Sequence, residues 1–289
     1  MQTATLLLQG RAVEDFSNSA LLFYLLAAAI YLFYSLWEKK ALHFAGLTLL
    51  ILGALLNTGA IIARWLQVGY PPFTSMYESM LFFGWCIAVV YLGFEFTVRI
   101  RKAGWGVLLL AALAIAYASL KAKSEITPLI PALRSNWLTV HVVSYFIGYG
   151  AMATSFVTSL LYLTRPRKLN QTEALASAST SGELTRKAVA FGFPFLTVGL
   201  ITGAVWAKTV WGEYWSWDPK ETWSLITWLV YLNFLHLRYT IPSILKSPGT
   251  KRQSVLLAEN VFALFGFASL CFTYLGVNYL LKGLHSYAK

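Results

Sequence analysis

The stretch Leu42–Ala63, LHFAGLTLLILGALLNTGAIIA, sets the fold class of this chain. It contains no lysine, arginine, aspartate or glutamate, and a transmembrane helix needs roughly 20 such predominantly apolar residues. The composition extends the argument to the whole chain, because 57% of its 289 residues are hydrophobic, only 12% are charged and the mean hydropathy is +0.60. A soluble domain cannot bury that much apolar surface, so the sequence predicts an all-α, polytopic integral membrane bundle.

Eight apolar segments are long enough to cross a bilayer, which predicts about eight transmembrane helices within a single membrane domain, 1–289. These segments are Leu21–Trp37, Leu42–Ala63, Met76–Val98, Gly104–Leu120, Trp137–Leu163, Ala188–Ala207, Pro219–Tyr239 and Ala258–Leu281. Two connectors stand out between them. The polar stretch 164–187 is predicted to be a flexible cytoplasmic loop, and the tryptophan-rich stretch 208–219 is predicted to be an external loop.

The placement of lysine and arginine predicts the orientation in the membrane. Of the 23 basic residues, 14 lie in the connectors that follow the first, third, fifth and seventh segments, and 9 lie elsewhere. Because cytoplasmic connectors carry the excess of basic residues, both termini and the loop 208–219 are predicted to be external. The same scattering between apolar segments argues against nucleic-acid binding, despite a formal charge of +11.

The run Trp211–Glu221, WGEYWSWDPKE, is the strongest functional motif. Its three tryptophans are Trp211, Trp215 and Trp217. One interpretation is an interfacial belt that anchors the chain at headgroup depth. The other is a platform for a large, flat, apolar ligand such as a porphyrin. A belt explains one or two of the tryptophans, but it does not explain Gly212 or the acid–proline turn that follows.

The two acids of this motif have a structural interpretation of their own. Asp218 is a good helix N-cap, Pro219 is a good first helical residue, and Glu221 completes a capping-box spacing. Fixing the angle at which the loop enters the next helix is therefore an adequate role for both carboxylates.

Two of the four histidines are predicted to share one face of the membrane with the tryptophan loop. His141 lies one turn into the fifth segment, and His285 follows the eighth, so both are expected on the external side. Two imidazoles beside a flat apolar surface satisfy the needs of a six-coordinate heme, which takes two axial nitrogens and hydrophobic contacts to the ring.

The other two histidines are predicted to lie towards the cytoplasm. His236 lies seventeen residues after Pro219, or about 26 Å along a helix that rises about 1.5 Å per residue. A histidine inside a membrane segment is a candidate for function, and an interface residue capped by Arg238 is an equally good alternative. His43 lies beside charged residues at a helix start, where a polar interface role is the better interpretation.

The motifs together resemble a known family. The run Trp211–Tyr239 resembles the tryptophan-rich WWD signature of the cytochrome c assembly superfamily. Its DPKETW continuation is similar to the CcsA (ResC) branch, the heme-attachment component of the System II pathway. Three further pieces match that branch: Tyr70–Phe83, Asn136–Gly150 and Gly276–Ala288.

This resemblance implies a set of heme ligands. His141 and His285 match the two external axial ligands of a heme b held at the WWD segment, with Trp211, Gly212, Trp215, Trp217 and Asp218 beside it. His236 matches a heme ligand nearer the cytoplasm, whose second histidine would come from a separate CcsB (ResB)-type membrane protein. Arg238 could pair with a heme propionate there, and His43 matches no ligand of the family.

The resemblance also implies a function. The chain would be the membrane subunit of a cytochrome c synthase that carries heme to the external face and positions it for thioether attachment to the CxxCH segment of apocytochrome c. The membrane would be a bacterial inner membrane or a thylakoid, with the WWD loop on the periplasmic or lumenal side. Two alternatives remain open: a heme exporter or carrier that forms no covalent bond, and a structural or regulatory protein that keeps heme as a prosthetic group.

Overall fold

The architecture was analysed on a computed structural model of the chain. It describes the backbone of residues 2–121, 126, 129–164, 171–240, 250–281 and 283–284. Side chains are described for residues 10–120, 126, 129–164, 182–237, 254–281 and 283–284.

All regular structure in the described ranges is helical, as the composition predicts. The long helices are α1 Gln2–Trp37, α2 Lys40–Val68, α3 Met76–Thr97, α4 Gly104–Lys121, α5 Asn136–Leu163, α6 Gln171–Trp211, α7 Pro219–Thr240 and α8 Thr250–Cys271. A π-helical turn, Phe272–Gly276, continues α8 into the short helix α9, Val277–Leu280. Short 3₁₀ turns at Arg101–Ala103 and Pro131–Leu133 precede α4 and α5.

Seven helices among the described residues are long and apolar enough to span a membrane. They correspond to seven of the eight predicted segments, with α8 and α9 forming one span. The remaining segment forms helix α7, as expected, but it is not among the seven. Its polarity explains the difference, because Lys220, Glu221, Asn233 and His236 lie among its apolar residues.

The two predicted connectors are shorter than their sequences suggested. Residues 165–170 lie outside the described range, and residues 171–187 of the predicted loop belong to α6, which begins at Gln171. The same helix ends at Trp211, so the tryptophan loop comprises residues 212–218 rather than 208–219.

The helices pack so that chemically distinct groups collect at the two ends of the bundle. Helices α1 and α2 form a hairpin, and α1 of this hairpin packs against α4. Helix α3 packs against α4 and α5, α5 packs along α6 and α8, and α7 packs on α8. The starts of α3, α5 and α7 and the ends of α6 and α8–α9 meet around one cavity. We call this the cavity end. The start of α2, the end of α3 and the turn before α4 meet at the opposite end.

Candidate functional site

A cavity of about 160 Å³, open to the surroundings, lies at the cavity end. Packed protein interiors contain few voids larger than a water molecule, so this space is more than a packing defect. Its lining includes Phe73, Ser79, Leu138, His141, Tyr145, Phe146, Leu200, Gly203, Trp206, Tyr214, Trp215, Lys220, Glu221, Ser224, Tyr274 and Asn278. Aromatic and aliphatic side chains with a few polar groups among them are typical of a ligand site.

His141 is the best-defined polar group of this lining. Its Nδ1 lies 2.8 Å from the carbonyl oxygen of Gly199. A carbonyl oxygen only accepts, so Nδ1 carries the proton and donates it, which places the ring lone pair on Nε2. A hydrogen bond from Nδ1–H to a backbone carbonyl is the usual way in which proteins orient a histidine that binds metal through Nε2.

The rings around His141 hold its plane. Tyr145 meets it edge-on, with centroids 4.9 Å apart, and Trp206 lies nearly parallel to it at 6.4 Å. Trp206 is 1% exposed, and its indole Nε1–H donates to the carbonyl oxygen of Ala132 at 3.0 Å. Gly203 makes room for the imidazole, because a Cβ at that position would lie 2.5 Å from Nδ1.

The tryptophan loop contributes one wall of the cavity. Trp215 and its neighbour Tyr214 line the cavity, and so does Lys220 at the start of α7. The Lys220 ammonium is half-buried and interacts electrostatically with the carboxylate of Asp218. This wall therefore combines aromatic surface with a positive charge.

The other predicted residues of the loop lie around the cavity rather than in its lining. Trp211 meets the edge of Trp206 at 4.8 Å and so supports the ring beside His141. Gly212 has φ +87° and ends α6, a conformation that favours glycine. Trp217 is 69% exposed and adopts φ +58°, which is unusual for a bulky residue. Its ring meets Trp215 edge-on at 5.8 Å.

Asp218 and Glu221 are buried and hold the shape of the loop, as their capping spacing predicted. Asp218 accepts the backbone N–H of Lys220 at 3.0 Å. Glu221 accepts the backbone N–H groups of Ser216 at 2.8 Å and Asp218 at 3.2 Å. Ser216 and Asp218 are thus tied to the first turn of α7. Asp218 lies behind the cavity wall and is absent from the cavity lining.

A buried ion pair shapes the opposite wall. The Arg64 Nε–H donates to Glu78 at 3.0 Å, and both side chains are almost fully buried. The other oxygen of Glu78 accepts the backbone N–H groups of Thr74 and Ser75 at 3.1 and 3.2 Å. Since Thr74 and Ser75 line the cavity next to Phe73, Glu78 fixes the loop that closes this side.

The remaining predicted ligands lie elsewhere. His236 is exposed on α7, fifteen residues beyond Glu221, so at a rise of about 1.5 Å per residue it lies roughly 22 Å along the helix from the cavity wall. The side chain of Arg238 and all of His285 lie outside the described residues, although Gly283 and Leu284 are described beside Asp218. His43 is buried at the opposite end, where its Nε2 lies 2.6 Å from a carboxylate oxygen of Glu95.

Comparisons with known proteins agree on one family. The sequence model of the family described as cytochrome C assembly protein matches residues 73–285. The cytochrome c biogenesis protein CcsA of Guillardia theta is 34% identical over 95% of this chain and 96% of that protein. CcsA of Gloeobacter violaceus is 32% identical over 93% and 94% of the two chains. This chain belongs to the cytochrome c assembly protein family, in its CcsA branch.

A solved structure supports the fold. Cytochrome c Heme Lyase CcmF superposes with a TM-score of 0.64 at 19% identity, covering 91% of this chain and 46% of CcmF. This CcsA-branch chain therefore spans slightly less than half of that structure. At such low identity the likeness establishes a shared helical membrane fold alone.

The CcsA-branch match includes residues that the sequence analysis did not single out. Tyr145, Trp206, Lys220 and Tyr274 all line the cavity within the matched range. Lys220 offered a usable signal, since a lysine directly after the cap of a membrane-facing helix needs a partner or a ligand. The others resemble ordinary core aromatics in sequence. Tyr274 lies in the π-helical turn, a feature found often at functional sites but not readable from sequence.

Proposed function

We propose that this protein holds heme b in the cavity at the tryptophan loop and presents it for covalent attachment to the CxxCH segment of apocytochrome c. The orientation of His141 carries the proposal. Its Nδ1–H is committed to the Gly199 carbonyl, so the ring lone pair is on Nε2, and the imidazole lies in the lining of a cavity rich in aromatic side chains. A neutral imidazole held in this way is suited to axial ligation of heme iron.

The lining suits the rest of the porphyrin as well. Trp215, Tyr145 and Phe146 offer apolar surface for the macrocycle. Lys220 supplies a positive charge for a propionate, which is the one strongly polar part of the ligand. The exposed ring of Trp217 contacts Trp215 and offers further aromatic surface to an approaching apocytochrome.

The bond formation needs little acid–base help from this chain. Each cysteine S–H adds across one vinyl C=C, with sulfur bonding to one carbon and hydrogen to the other, so no atom leaves and no oxidant is consumed. The protein's contribution is to bind and orient the substrate and to exclude water from the apolar walls. The histidine of CxxCH then takes one axial position in place of a ligand of this chain.

One experiment separates attachment from simple carriage. The chain is co-expressed with a CcsB-type partner and an apocytochrome in a cell that lacks its own assembly pathway, and covalent heme is detected by staining after denaturing electrophoresis. An apocytochrome with both cysteines replaced by serine is the control. Stain on the normal substrate alone supports attachment. Heme that copurifies with the chain but never becomes covalent favours the exporter or carrier instead.

A separate CcsB-type partner is part of the proposal because of where His236 lies. It is exposed on α7, far from His141 along the helix axis, and so faces the surroundings of the bundle. An imidazole from a second polypeptide could complete a heme site there. The chain purified with the partner should hold more heme than the chain alone, and His236→Ala should remove that increment. Full His236-dependent heme in the isolated chain would contradict the shared site.

The proposed orientation places the cavity end on the periplasmic or lumenal side, in a bacterial inner membrane or a thylakoid. It rests on the 14 basic residues of the predicted cytoplasmic connectors against 9 elsewhere. Reporter fusions after Lys168 and after Lys289 should give opposite sidedness. The same sidedness for both would separate the C-terminus from the tryptophan loop and contradict the orientation.

A further inference from the structure

Asp218 joins the tryptophan loop to the C-terminal segment of the chain. One carboxylate oxygen, Oδ1, accepts the backbone N–H of Lys220 at 3.0 Å. The other, Oδ2, accepts the backbone N–H of Leu284 at 2.6 Å. The side chain is 6% exposed, so both contacts are made away from solvent, where hydrogen bonds to a charged acceptor are strong.

Helix capping explains only the first of these contacts. An N-cap side chain accepts one N–H of the first helical turn, and a serine, threonine or asparagine does this as well as an aspartate. The second contact reaches across 66 positions of sequence to a segment beyond α9. A residue with two acceptor oxygens is needed for both.

The segment that Asp218 holds is packed closely against it. A Cβ at Gly283 would lie 2.3 Å from Asp218 Oδ2 and 3.0 Å from Pro219 Cδ, so only glycine allows this approach. The backbone at 283–284 therefore lies directly on the start of α7. Lys220 and Glu221, the neighbours of Asp218 in that helix, line the cavity.

His285 is the next residue along the chain. We propose that Asp218 is a positioning residue. Through its bond to the Leu284 amide, it fixes the point from which His285 reaches heme iron as the second axial ligand beside His141. The inference rests on the proposed function, and it gives Asp218 a role that does not require contact with heme.

Two variants remove the tether in different ways. Asp218→Asn keeps the size of the side chain and one acceptor, but its amide nitrogen cannot accept a second N–H. Leu284→Pro leaves Asp218 intact and removes the donor. Leu284→Ala is the matched control, because it shortens the same half-exposed side chain and keeps the N–H. Each variant is made in the full-length chain, co-expressed with its partner and an apocytochrome.

The readout is the yield of covalent cytochrome c, normalised to the amount of membrane protein, with and without added imidazole. Mutations behind a metal ligand typically cost about 10–100-fold in metal affinity. Asp218→Asn and Leu284→Pro should therefore lower the yield about tenfold or more. Imidazole should restore much of it, because a diffusible ligand replaces a histidine that is present but misplaced. Leu284→Ala should behave as the parent chain. The heme absorption of both tether variants should shift towards that of His285→Ala.

The outcomes separate this inference from the function on which it rests. Normal assembly in both His141→Ala and His285→Ala would overturn the heme-ligand assignment itself. A loss in His285→Ala that imidazole restores, together with normal yields in Asp218→Asn and Leu284→Pro, would leave the function standing and overturn the tether. Losses in the tether variants that imidazole does not restore would also overturn it, because a cap or a fold would then be the cause.

Discussion

Two imidazoles at opposite ends of this bundle show how surroundings decide what a histidine can do. His141 gives its Nδ1–H to the Gly199 carbonyl and lies in the lining of the cavity. His43 is 8% exposed, and its Nε2 lies 2.6 Å from a carboxylate oxygen of Glu95. One ring is oriented by a neutral backbone group beside open space. The other is engaged by an acid in a packed interior.

The two histidines use different ring nitrogens in these contacts. The Gly199 carbonyl takes the Nδ1–H of His141, which leaves the ring lone pair on Nε2, the atom through which a histidine oriented in this way binds a metal. At His43 the carboxylate takes Nε2 itself, and the rings of Tyr34 and Phe44 lie 5.7 and 5.4 Å away. Glu95 also accepts the hydroxyl of Tyr91 at 2.7 Å. The end with His43 is therefore built to neutralise buried polar groups, and the cavity end is built to receive a ligand.

The largest effect is expected from His141→Ala. Removing the imidazole takes away an axial ligand without creating a large cavity defect, since the site is already open. We expect the yield of covalent cytochrome c to fall by at least about tenfold, the scale on which lost metal-site contacts act. Added imidazole should restore part of it, with membrane insertion unchanged. A normal yield would mean that His141, like His43, does not serve as a heme ligand.

At the opposite end of the bundle, we expect a mutation to lower stability and to leave assembly per folded molecule unchanged. Glu95→Ala leaves the buried imidazole of His43 without its carboxylate partner, and an unsatisfied buried polar group costs about 1–3 kcal/mol. The amount of folded protein and its thermal midpoint in detergent should fall. Assembly per folded molecule should stay near the parent value, and imidazole should not help. The double variant with His43→Phe should recover some stability. If added imidazole restored cytochrome c assembly in Glu95→Ala, the pair of His43 and Glu95 would take part in heme handling.

Lys220 offers a smaller test of the cavity end. Lys220→Met keeps most of the side-chain length and removes the charge proposed to meet a propionate. Hydrogen bonds to charged groups contribute about 1.5–3 kcal/mol, so heme retention should weaken by roughly 10-fold or more. Lys220→Arg keeps the charge and should retain most of the affinity. The measurement is the heme content of each variant, determined as the pyridine hemochrome. Equal heme loss in both variants would mean that the packing of Lys220, rather than its charge, retains heme.

The sequence was informative where a property depends on neighbours along the chain. Apolar length located the helices, the spacing of Asp218, Pro219 and Glu221 predicted the start of α7, and helix alternation placed His141 at the same end as the tryptophan loop. Contacts between distant segments were not readable. The pairing of His43 with Glu95 spans 52 positions and that of Asp218 with Leu284 spans 66, and both depend on how the finished helices pack.

The smallest expected effect is that of Trp217→Ala, and Trp215→Ala is its reference because the two tryptophans look equivalent in sequence. Trp215 lines the cavity, whereas Trp217 is 69% exposed and touches the edge of the Trp215 ring. Trp215→Ala should weaken heme retention most, because it removes aromatic surface of about 150–250 Å² from the ligand's wall. Trp217→Ala removes only an edge-to-face neighbour, worth about 0.5–1.5 kcal/mol, so heme retention should fall by about tenfold at most.

The two tryptophan variants are compared for heme content at equal protein level, with Phe at each position as the matched control. Phenylalanine should preserve most of the contact at Trp215 and nearly all of it at Trp217. The strained φ of +58° at Trp217 suggests that the loop is held by its acids rather than by this side chain, so Trp217→Ala should also leave the protein level unchanged. Equal heme loss in the two alanine variants would mean that Trp217 turns onto the ligand when heme is bound, and the cavity wall would then extend over the whole loop.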